Sequence, residues 1–366
     1  MGKRRRNDRY DEPSLPEEGW FDYGSDALLI EGYTEGGAPY GPTLSELREA
    51  LEREGAEAPW ARAKAILRNA FASHSPTARV DIGRVSRLGQ GLSRDVFVAE
   101  VLLSPDPGAW SGPYAVLLPR RSADKGVDAR ARREAGLLHR LSSLQLPFRI
   151  PRVLGAWRDA GPLALVRSFL PGIELDLRAG RQTSVRPWEF VGELAAAVHS
   201  IDASAFMDLL PGPETRKAGA LELLHVLDEC EASEVQAAVT WARSHLPPEE
   251  STVFVHGDLL GQNILLAPGQ PPGLIDWEYA GRGDPARDLA IVTRGVRRPF
   301  QIDRGMDRLL EAYARFGGRP VEADHIRFYE LTMTAGWYRD ALRSAGGESP
   351  NDARDRLRGL LRRLGA

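Results

Sequence analysis

The sequence predicts an α+β protein in which a small, sheet-rich part precedes a larger helical part. Short valine- and leucine-rich runs separated by turn residues occupy residues 80–118, as strands of a small sheet do. After Pro171-Gly172, apolar residues recur at helical spacing. A chain of 366 residues accommodates two or three packed units. We divide it into an N-terminal extension (1–78), a sheet-rich part (79–170) and a helical part (171–366).

Composition and charge are those of an ordinary globular protein. Hydrophobic residues make up 42% and charged residues 27%, which excludes a disordered chain and a disulfide-dense scaffold. With 48 basic and 51 acidic residues the net charge is −3, so we expect no nucleic-acid partner. No apolar run is long enough to span a membrane. Cys230 is the only cysteine, so we expect a reducing, cytoplasmic location.

The N-terminal extension carries few regular patterns. Residues 1–42 are rich in glycine, proline and tyrosine, and we predict that they are mostly irregular. Thr43-Leu44-Ser45-Glu46 has the spacing of a capping box and predicts a helix over residues 44–54. A second helix is predicted from Pro59 to Phe71, because proline suits the first helical position.

The remaining elements follow from hydrophobic periodicity. Three antiparallel strands are predicted around Val85–Leu88, Val96–Val101 and Tyr114–Leu118. A helix over 130–144 and two strands at 153–157 and 163–169 complete the sheet-rich part. In the helical part we predict helices over 188–201, 218–230 and 234–245 and two short apolar strands at 253–255 and 274–275. Further helices are predicted from Pro299 to the end.

One polar segment between apolar runs carries the strongest chemical signal. His256-Gly257-Asp258 is followed by Asn263, and Ile275-Asp276-Trp277-Glu278 ends the next apolar run in an acid. A carboxylate and a carboxamide five residues apart in a loop can place a general base and a cation ligand in one cleft. Phosphoryl transfer needs this set, because a carboxylate must orient the attacking hydroxyl while oxygen ligands hold Mg²⁺.

These motifs, followed by Gly283-Asp284-Pro285 and Asp288-Leu289-Ala290, resemble the aminoglycoside phosphotransferase and choline kinase family over residues 82–345. The resemblance implies a protein-kinase-like bilobal fold, with ATP and Mg²⁺ as cofactors. It also implies that Asp258 is the catalytic base and that Asn263 and Asp276 are the Mg²⁺ ligands. By the same resemblance, His256 organises the catalytic loop and Asp288 braces it.

The sheet-rich part is similar to the family's nucleotide-binding half. Gly89, Gly91 and Ser93 lie in a turn between two strands, where glycines let backbone amides approach phosphate oxygens. An ordinary hairpin would favour glycine there as well. Residues from Ser168 to Leu170 resemble the connector whose backbone pairs with adenine, and Glu134 resembles the helix glutamate that pairs with a strand cation.

The third strand departs from the family pattern. It contains no lysine or arginine, and the position of the expected cation falls on Leu117. A shift of register would let Arg120 or Arg121 contact the phosphates and pair with Glu134. Alternatively both are surface arginines, and Lys125 is the nearest lysine.

We therefore predict an ATP-dependent phosphotransferase that acts on a hydroxyl of a small molecule, such as an aminoglycoside-like compound, an amino alcohol or a sugar. The alternatives are a catalytically weak kinase-like nucleotide-binding module and a protein kinase. Acidic and aromatic residues of the helical part are candidates for binding the acceptor, although the aromatic ones also suit the core: Glu278, Asp303, Glu330, Trp337, Tyr338 and Asp340.

Overall fold

A computed structural model of the chain describes residues 20–23, 26–29, 32–33, 39–40, 59–90, 94–106, 108–120, 126–158, 161–178, 186–343 and 349–366. The helix predicted over residues 44–54 lies outside them. Within the described ranges, no helix is both long and apolar enough to cross a membrane.

The N-terminal extension contains two short antiparallel strand pairs where the sequence predicted irregular chain. Strand β1 (Trp20–Tyr23) pairs with β2 (Asp26–Leu29), and β3 (Gly32–Tyr33) pairs with β4 (Pro39–Tyr40). The prediction of a mostly irregular segment named none of these strands, because glycine- and proline-rich turns also join very short strands.

A single antiparallel sheet forms the sheet-rich part, and it contains the three strands predicted first. Its order is β5-β7-β8-β10-β9, and β6 also pairs with β7. The strands are β5 (Arg79–Ile82), β6 (Ser86–Gln90), β7 (Arg94–Ser104), β8 (Gly112–Pro119), β9 (Val153–Trp157) and β10 (Ala164–Ser168).

The two faces of this sheet are covered differently. Helix α1 (Pro59–His74) begins at the predicted proline and buries Phe71 against Tyr114 and Val116 on one face. The other face carries a smaller apolar cluster that includes Leu117 and Leu165, and Ala135 of helix α2 (Val127–Leu141) packs against it. Alternation along each strand therefore sends neighbouring residues to different environments.

The helical part follows a short connector. Its helices are α3 (Pro187–His199), α4 (Arg216–Asp228), α5 (Ser233–Arg243), α6 (Pro285–Thr293), α7 (Gly305–Arg315), α8 (Ala323–Arg343) and α9 (Pro350–Leu364). Short 3₁₀ turns occupy Ala203–Phe206, Gly261–Asn263, Trp277–Tyr279 and Pro299–Gln301. Local capping helps to define helix starts: the Thr215 hydroxyl accepts a hydrogen bond from the Ala218 amide, and Asp284 accepts one from Ala286.

Five short strands run beside these helices and carry the loops of interest. Strands β11 (Ile173–Glu174), β13 (Ile264–Leu266) and β14 (Gly273–Leu274) form one small sheet. Strand β12 (Val253–Val255) pairs with β15 (Gly281–Gly283). The buried Trp277 packs beside Phe148 and Phe254, so the loop after β14 is anchored in the main hydrophobic core.

Candidate active site

The predicted catalytic loop runs from β12 to β13, and the next acidic residue follows β14. Strands β13 and β14 pair so that Ile264 lies opposite Leu274. The Ile275 amide then donates to the Asn263 carbonyl oxygen at 3.0 Å. This backbone hydrogen bond brings Asp276 beside Asn263, although the two residues belong to different loops.

Asp258 and Asn263 are in direct contact. The Asn263 Nδ2 atom donates to the Asp258 carbonyl oxygen at 2.8 Å and to its Oδ2 atom at 2.9 Å. Burial raises the pKa of Asp258, while His256, the hydrogen bond from Asn263 and the charge of Arg294 oppose that rise. The carboxylate is thus held in place through one oxygen, which leaves Oδ1 to accept a proton.

His256 lies fully buried beneath the loop. Its Nε2 atom is 3.1 Å from the Ile275 carbonyl oxygen, and its Nδ1 atom is 3.3 Å from the Asp258 amide nitrogen. These partners require Nε2 to donate and Nδ1 to accept, which is the neutral tautomer. Burial also lowers the pKa of His256, which favours the uncharged ring. The histidine therefore joins the catalytic loop to the strand that precedes Asp276.

Asp288, on helix α6, binds the backbone of the same loop. Its Oδ2 atom accepts from the His256 amide at 2.7 Å, and its Oδ1 atom accepts from the Gly257 amide at 2.8 Å. His199 Nε2 lies 3.2 Å from Oδ2. Burial raises the pKa of Asp288, but the hydrogen bond and charge of His199 outweigh that effect and hold the pKa below its usual value. Asp288 therefore stays ionised and braces the loop.

Gly257 has a backbone conformation that few other residues adopt. Its φ is +82°, and a Cβ atom there would lie 2.2 Å from the Tyr279 carbonyl oxygen. Any side chain would push the loop away from Tyr279. The glycine between His256 and Asp258 is therefore required by the close approach of two backbone segments.

Asp276 is the most electrostatically unusual carboxyl of the site. Its backbone is left-handed, with φ of 66°, which is a strained conformation for a residue with a side chain. Burial raises its pKa to about 7, and the nearby carboxylates of Glu134 and Glu278 add to the rise, against the opposing charges of Arg94 and Arg167. Removing a buried carboxylate's proton at neutral pH becomes easier when a cation is bound.

The donor set formed by Asn263 and Asp276 fits a magnesium ion. Within the described ranges there is no group of three or more histidine, cysteine, aspartate or glutamate side chains arranged for a metal. Mg²⁺ does not require such a cage, because it commonly binds one or two protein oxygen ligands together with water and substrate phosphates.

The expected ion pair between the sheet and helix α2 is present, but a different arginine forms it. The Arg94 Nη1 atom on β7 donates to Glu134 Oε2 at 2.6 Å, and Arg94 Nη2 lies 3.2 Å from Glu278 Oε2. All three side chains are buried. Burial lowers the pKa of Arg94, but the two glutamates outweigh this and raise it. Arg94 thus connects the sheet, helix α2 and the loop after β14.

The predicted pairing of Arg120 with Glu134 is wrong, whereas the pairing of Arg121 with Glu134 stays a prediction. Arg120 Nε lies 3.3 Å from Asp95 Oδ1 at the partly exposed end of the sheet, and Arg121 lies outside the described residues. No register shift occurs in β8, because Leu117 lies opposite Val96 and Leu165 and is buried together with Leu165. A strand other than β8 therefore supplies the arginine that pairs with Glu134.

The other predicted nucleotide-binding residues are only partly described. Gly89 lies in β6 opposite Val96, whereas Gly91 and Ser93 fall outside the described residues. The Ser168 amide donates to the Arg152 carbonyl oxygen at 2.7 Å, so it is not free for adenine. The Leu170 amide forms no hydrogen bond with any described part of the chain.

Comparisons with known proteins identify the family of this chain. The model of the Phosphotransferase enzyme family matches residues 85–332, more than half of the chain. This chain belongs to that family. An aminoglycoside 3'-phosphotransferase of Streptomyces fradiae is 26% identical over 251 residues, which are 64% of this chain and 89% of that protein.

Solved structures show the same fold. A macrolide 2'-phosphotransferase from Brachybacterium faecium superposes with a TM-score of 0.55 at 22% identity, over 81% of this chain and 97% of that one. A thermostable aminoglycoside phosphotransferase in complex with AMP-PNP and hygromycin B gives 0.58 at 16% identity, over 81% and 97%. The predicted protein-kinase-like α+β fold is confirmed. The protein is a phosphotransferase that acts on hydroxyl groups of small molecules.

A cavity of about 760 Å³ opens in the helical part of this phosphotransferase, beside the catalytic loop. Gly261 and Gln262 of the loop line it, together with residues of two distant segments, 174–178 and 292–301. Arg294 is part of this lining, and its positive charge interacts with the Asp258 carboxylate. The cavity is therefore lined by the loop that carries Asp258, although Asp258 itself is not one of the lining residues.

The six residues predicted to bind the acceptor do not line this cavity. Glu278 is buried against Arg94, and Glu330 accepts a hydrogen bond from Thr293. The other two acids are paired as well, Asp303 with Arg298 at 3.2 Å and Asp340 with Arg339 at 2.7 Å. Tyr338 is part of the main core and Trp337 packs against it. The cavity is lined by other residues, which helical periodicity alone did not identify.

Two residues of the phosphotransferase were missed by sequence reasoning. Arg94 and Arg167 are buried on the same face of the sheet as Leu117. The available signal was strand alternation: Arg94 is in phase with Val96, and Arg167 is in phase with Leu165. That signal is useful only once the strand pairing is known.

Proposed function

We propose that this protein transfers the γ-phosphoryl group of ATP, with Mg²⁺, to a hydroxyl of a small polar molecule bound in the cavity beside the catalytic loop. The observation that carries the proposal is the position of Asn263 between the segments of Asp258 and Asp276. Its side chain donates to Asp258, and its carbonyl oxygen accepts the amide of Ile275, the residue before Asp276. A protein that only bound nucleotide would have no need of the base.

In this proposal the chain's residues act as follows. Asp258 Oδ1 accepts the proton of the attacking hydroxyl, while Asn263 holds Oδ2 in place. His256 and Asp288 fix the loop backbone on either side of Gly257. Asn263 and Asp276 would hold Mg²⁺, which when bound neutralises charge on the phosphates.

The charge of the cavity constrains the acceptor. Its lining carries charges of both signs: the acidic residues are Glu174 and Asp176, and the basic residues are Arg178, Arg294 and Arg298. Arg178 is already paired with Asp176 at 2.9 Å. Such a mixed lining suits a small polar molecule better than a strongly polycationic one, because the latter needs a predominantly acidic site.

The test is ATP consumption with Mg²⁺ against amino sugars, amino alcohols, sugars, nucleosides and a hydroxyl-bearing peptide. We expect one small-molecule class to raise consumption above the acceptor-free rate. With that acceptor, Arg294→Gln should raise the KM for the acceptor and leave the KM for ATP unchanged. Arg297→Gln is the matched control, since this exposed neighbour does not line the cavity. Consumption that responds only to the peptide would contradict the proposal.

A further inference from the structure

Arg167 is a buried arginine that has no partner in the part of the chain that the structure describes. It lies near the end of β10, and only 7% of the residue is exposed. Its guanidinium forms no hydrogen bond and no ion pair with any residue in the described ranges, and its Nε atom is fully buried. Buried arginines are normally paired, because an uncompensated buried charge is costly. A bound anion would compensate the buried charge of this arginine.

The position of Arg167 in the sheet places it on the face toward helix α2. Arg167 lies opposite Ala115 of β8, and its neighbour in phase, Leu165, lies opposite Leu117. Ala115, Leu117 and Leu165 form the apolar cluster of that face. On this face of the sheet, the pair Arg167–Ala115 is therefore next to the pair Leu165–Leu117, and Leu117 is where the family pattern places the strand cation.

Arg167 interacts electrostatically with Asp276, the predicted metal ligand. Its charge interacts with those of Glu134 and Asp276, which attract it, and with that of Arg94, which repels it. Burial lowers its pKa overall. Glu134 does not neutralise Arg167, because Glu134 Oε2 is bound to Arg94 at 2.6 Å and Oε1 has no hydrogen-bond partner in the described chain.

We propose that Arg167 binds phosphate oxygens of the nucleotide and replaces the cation missing at Leu117. Arg94 does not fill this role, because its two glutamate partners already engage its guanidinium. The two functions that one strand cation would combine are thus divided: Arg94 holds helix α2, and Arg167 contacts the phosphates. This inference rests on the proposed use of a nucleotide.

Phosphate is the ligand class that matches this site. A guanidinium stays charged at every physiological pH and presents a planar set of donors that fits two phosphate oxygens at once. A ligand with only neutral polar groups would leave the buried charge uncompensated. A cation would be repelled by both Arg94 and Arg167.

The test compares the parent with Arg167→Met and Arg167→Lys by calorimetric titration with ADP and with adenosine, without acceptor or turnover. We expect Arg167→Met to lose about tenfold or more in ADP affinity, the ratio supplied by a hydrogen bond to a charged group. Its affinity for adenosine should stay within about twofold of the parent, because the phosphate contact is absent there. Arg167→Lys should recover part of the ADP affinity.

Melting temperature without ligand is the second measurement. Arg167→Met should melt at or above the parent temperature, because it removes an uncompensated charge. Arg216→Met is the matched control: Arg216 is equally buried but is paired with Asp284 at 2.9 Å and Glu250 at 2.8 Å, so its loss should lower the melting temperature.

The outcomes separate this inference from the proposed function. Unchanged ADP affinity in Arg167→Met, or a melting temperature clearly below the parent's, would overturn the inference and leave the proposed function intact. If the parent itself bound neither ADP nor adenosine, the proposed use of ATP would be wrong, and the inference with it.

Discussion

Arg94 on strand β7 and Glu134 on helix α2 form a buried ion pair, with 2.6 Å between Nη1 and Oε2. The family pattern predicted this pair from the third strand of the sheet, but in this protein the arginine comes from the strand before it. The same guanidinium reaches Glu278, which follows Asp276 directly. Helix α2 and the predicted metal-binding loop are therefore held by one side chain.

Breaking this pair should be costly for stability. We expect Arg94→Met and Glu134→Gln each to reduce the free energy of unfolding by roughly 3–5 kcal/mol, because each leaves a buried charge without its partner. The double variant should lose less than the sum of the two. Arg120→Met is the control, with a loss under about 1 kcal/mol for its partly exposed pair with Asp95. Urea denaturation measures all four, and strictly additive losses would show that the two residues are not coupled.

Replacing the proposed base should stop phosphoryl transfer without unfolding the protein. Asp258→Asn keeps the shape of the side chain but removes the proton acceptor, so turnover with the true acceptor should fall about 10²–10⁴-fold. ADP affinity and melting temperature should remain near those of the parent. Asp324→Asn, at an exposed carboxylate paired with Arg327, should retain full turnover. An active Asp258→Asn enzyme would mean that another group accepts the proton.

The raised pKa of Asp276 predicts a specific pH dependence. In the unfolded chain its carboxyl ionises near pH 3.8, whereas in the folded protein it does so near pH 7. Between these values the folded state binds more protons, so its stability should fall as pH rises from about 4 to 7. Asp276→Asn should remove this loss, because asparagine does not titrate and also tolerates positive φ. At pH 8 its free energy of unfolding should exceed that of the parent by up to about 4 kcal/mol.

Unfolding curves of both proteins across this pH range, without Mg²⁺ or nucleotide, test that prediction. Parallel pH profiles for the parent and Asp276→Asn would show that the carboxyl titrates at its ordinary pKa in the folded protein. The sign of the pH dependence also shows which form of Asp276 the folded protein favours. If its neighbours stabilised the ionised carboxylate, the protein would instead become more stable as pH rises.

Two glycines with positive φ should respond differently to alanine. Gly257→Ala introduces both an unfavourable φ and a Cβ atom 2.2 Å from the Tyr279 carbonyl oxygen. Gly269→Ala introduces the φ penalty alone, because no atom lies within 4 Å. We expect about 1 kcal/mol for Gly269→Ala and a larger loss for Gly257→Ala, with much lower turnover. Thermal unfolding and ATP consumption measure both, and equal losses would show that the loop adapts without strain.

The order of the elements and the identity of the polar motif could be predicted from the sequence. The local periodicity of apolar residues indicates where strands and helices lie, so β9 and β12 occupy the predicted ranges. The spacing of Asp258, Asn263 and Asp276 is equally local, because short loops between adjacent strands leave few ways to arrange them. The roles proposed for these three residues remain predictions.

Only the tertiary structure decided which arginines are buried and what lines the cavity beside the catalytic loop. Arg94 and Glu134 are separated by 40 residues, and the pairing of β7, β8 and α2 determines that they meet. The burial of Arg167, which has no partner among the described residues, depends on the same packing, since sequence alone does not show which strand faces are covered. The cavity combines segments near residues 176 and 296. The physical reason is common to all three: burial and ion pairing depend on distances between remote parts of the chain, whereas periodicity and spacing report only the local backbone.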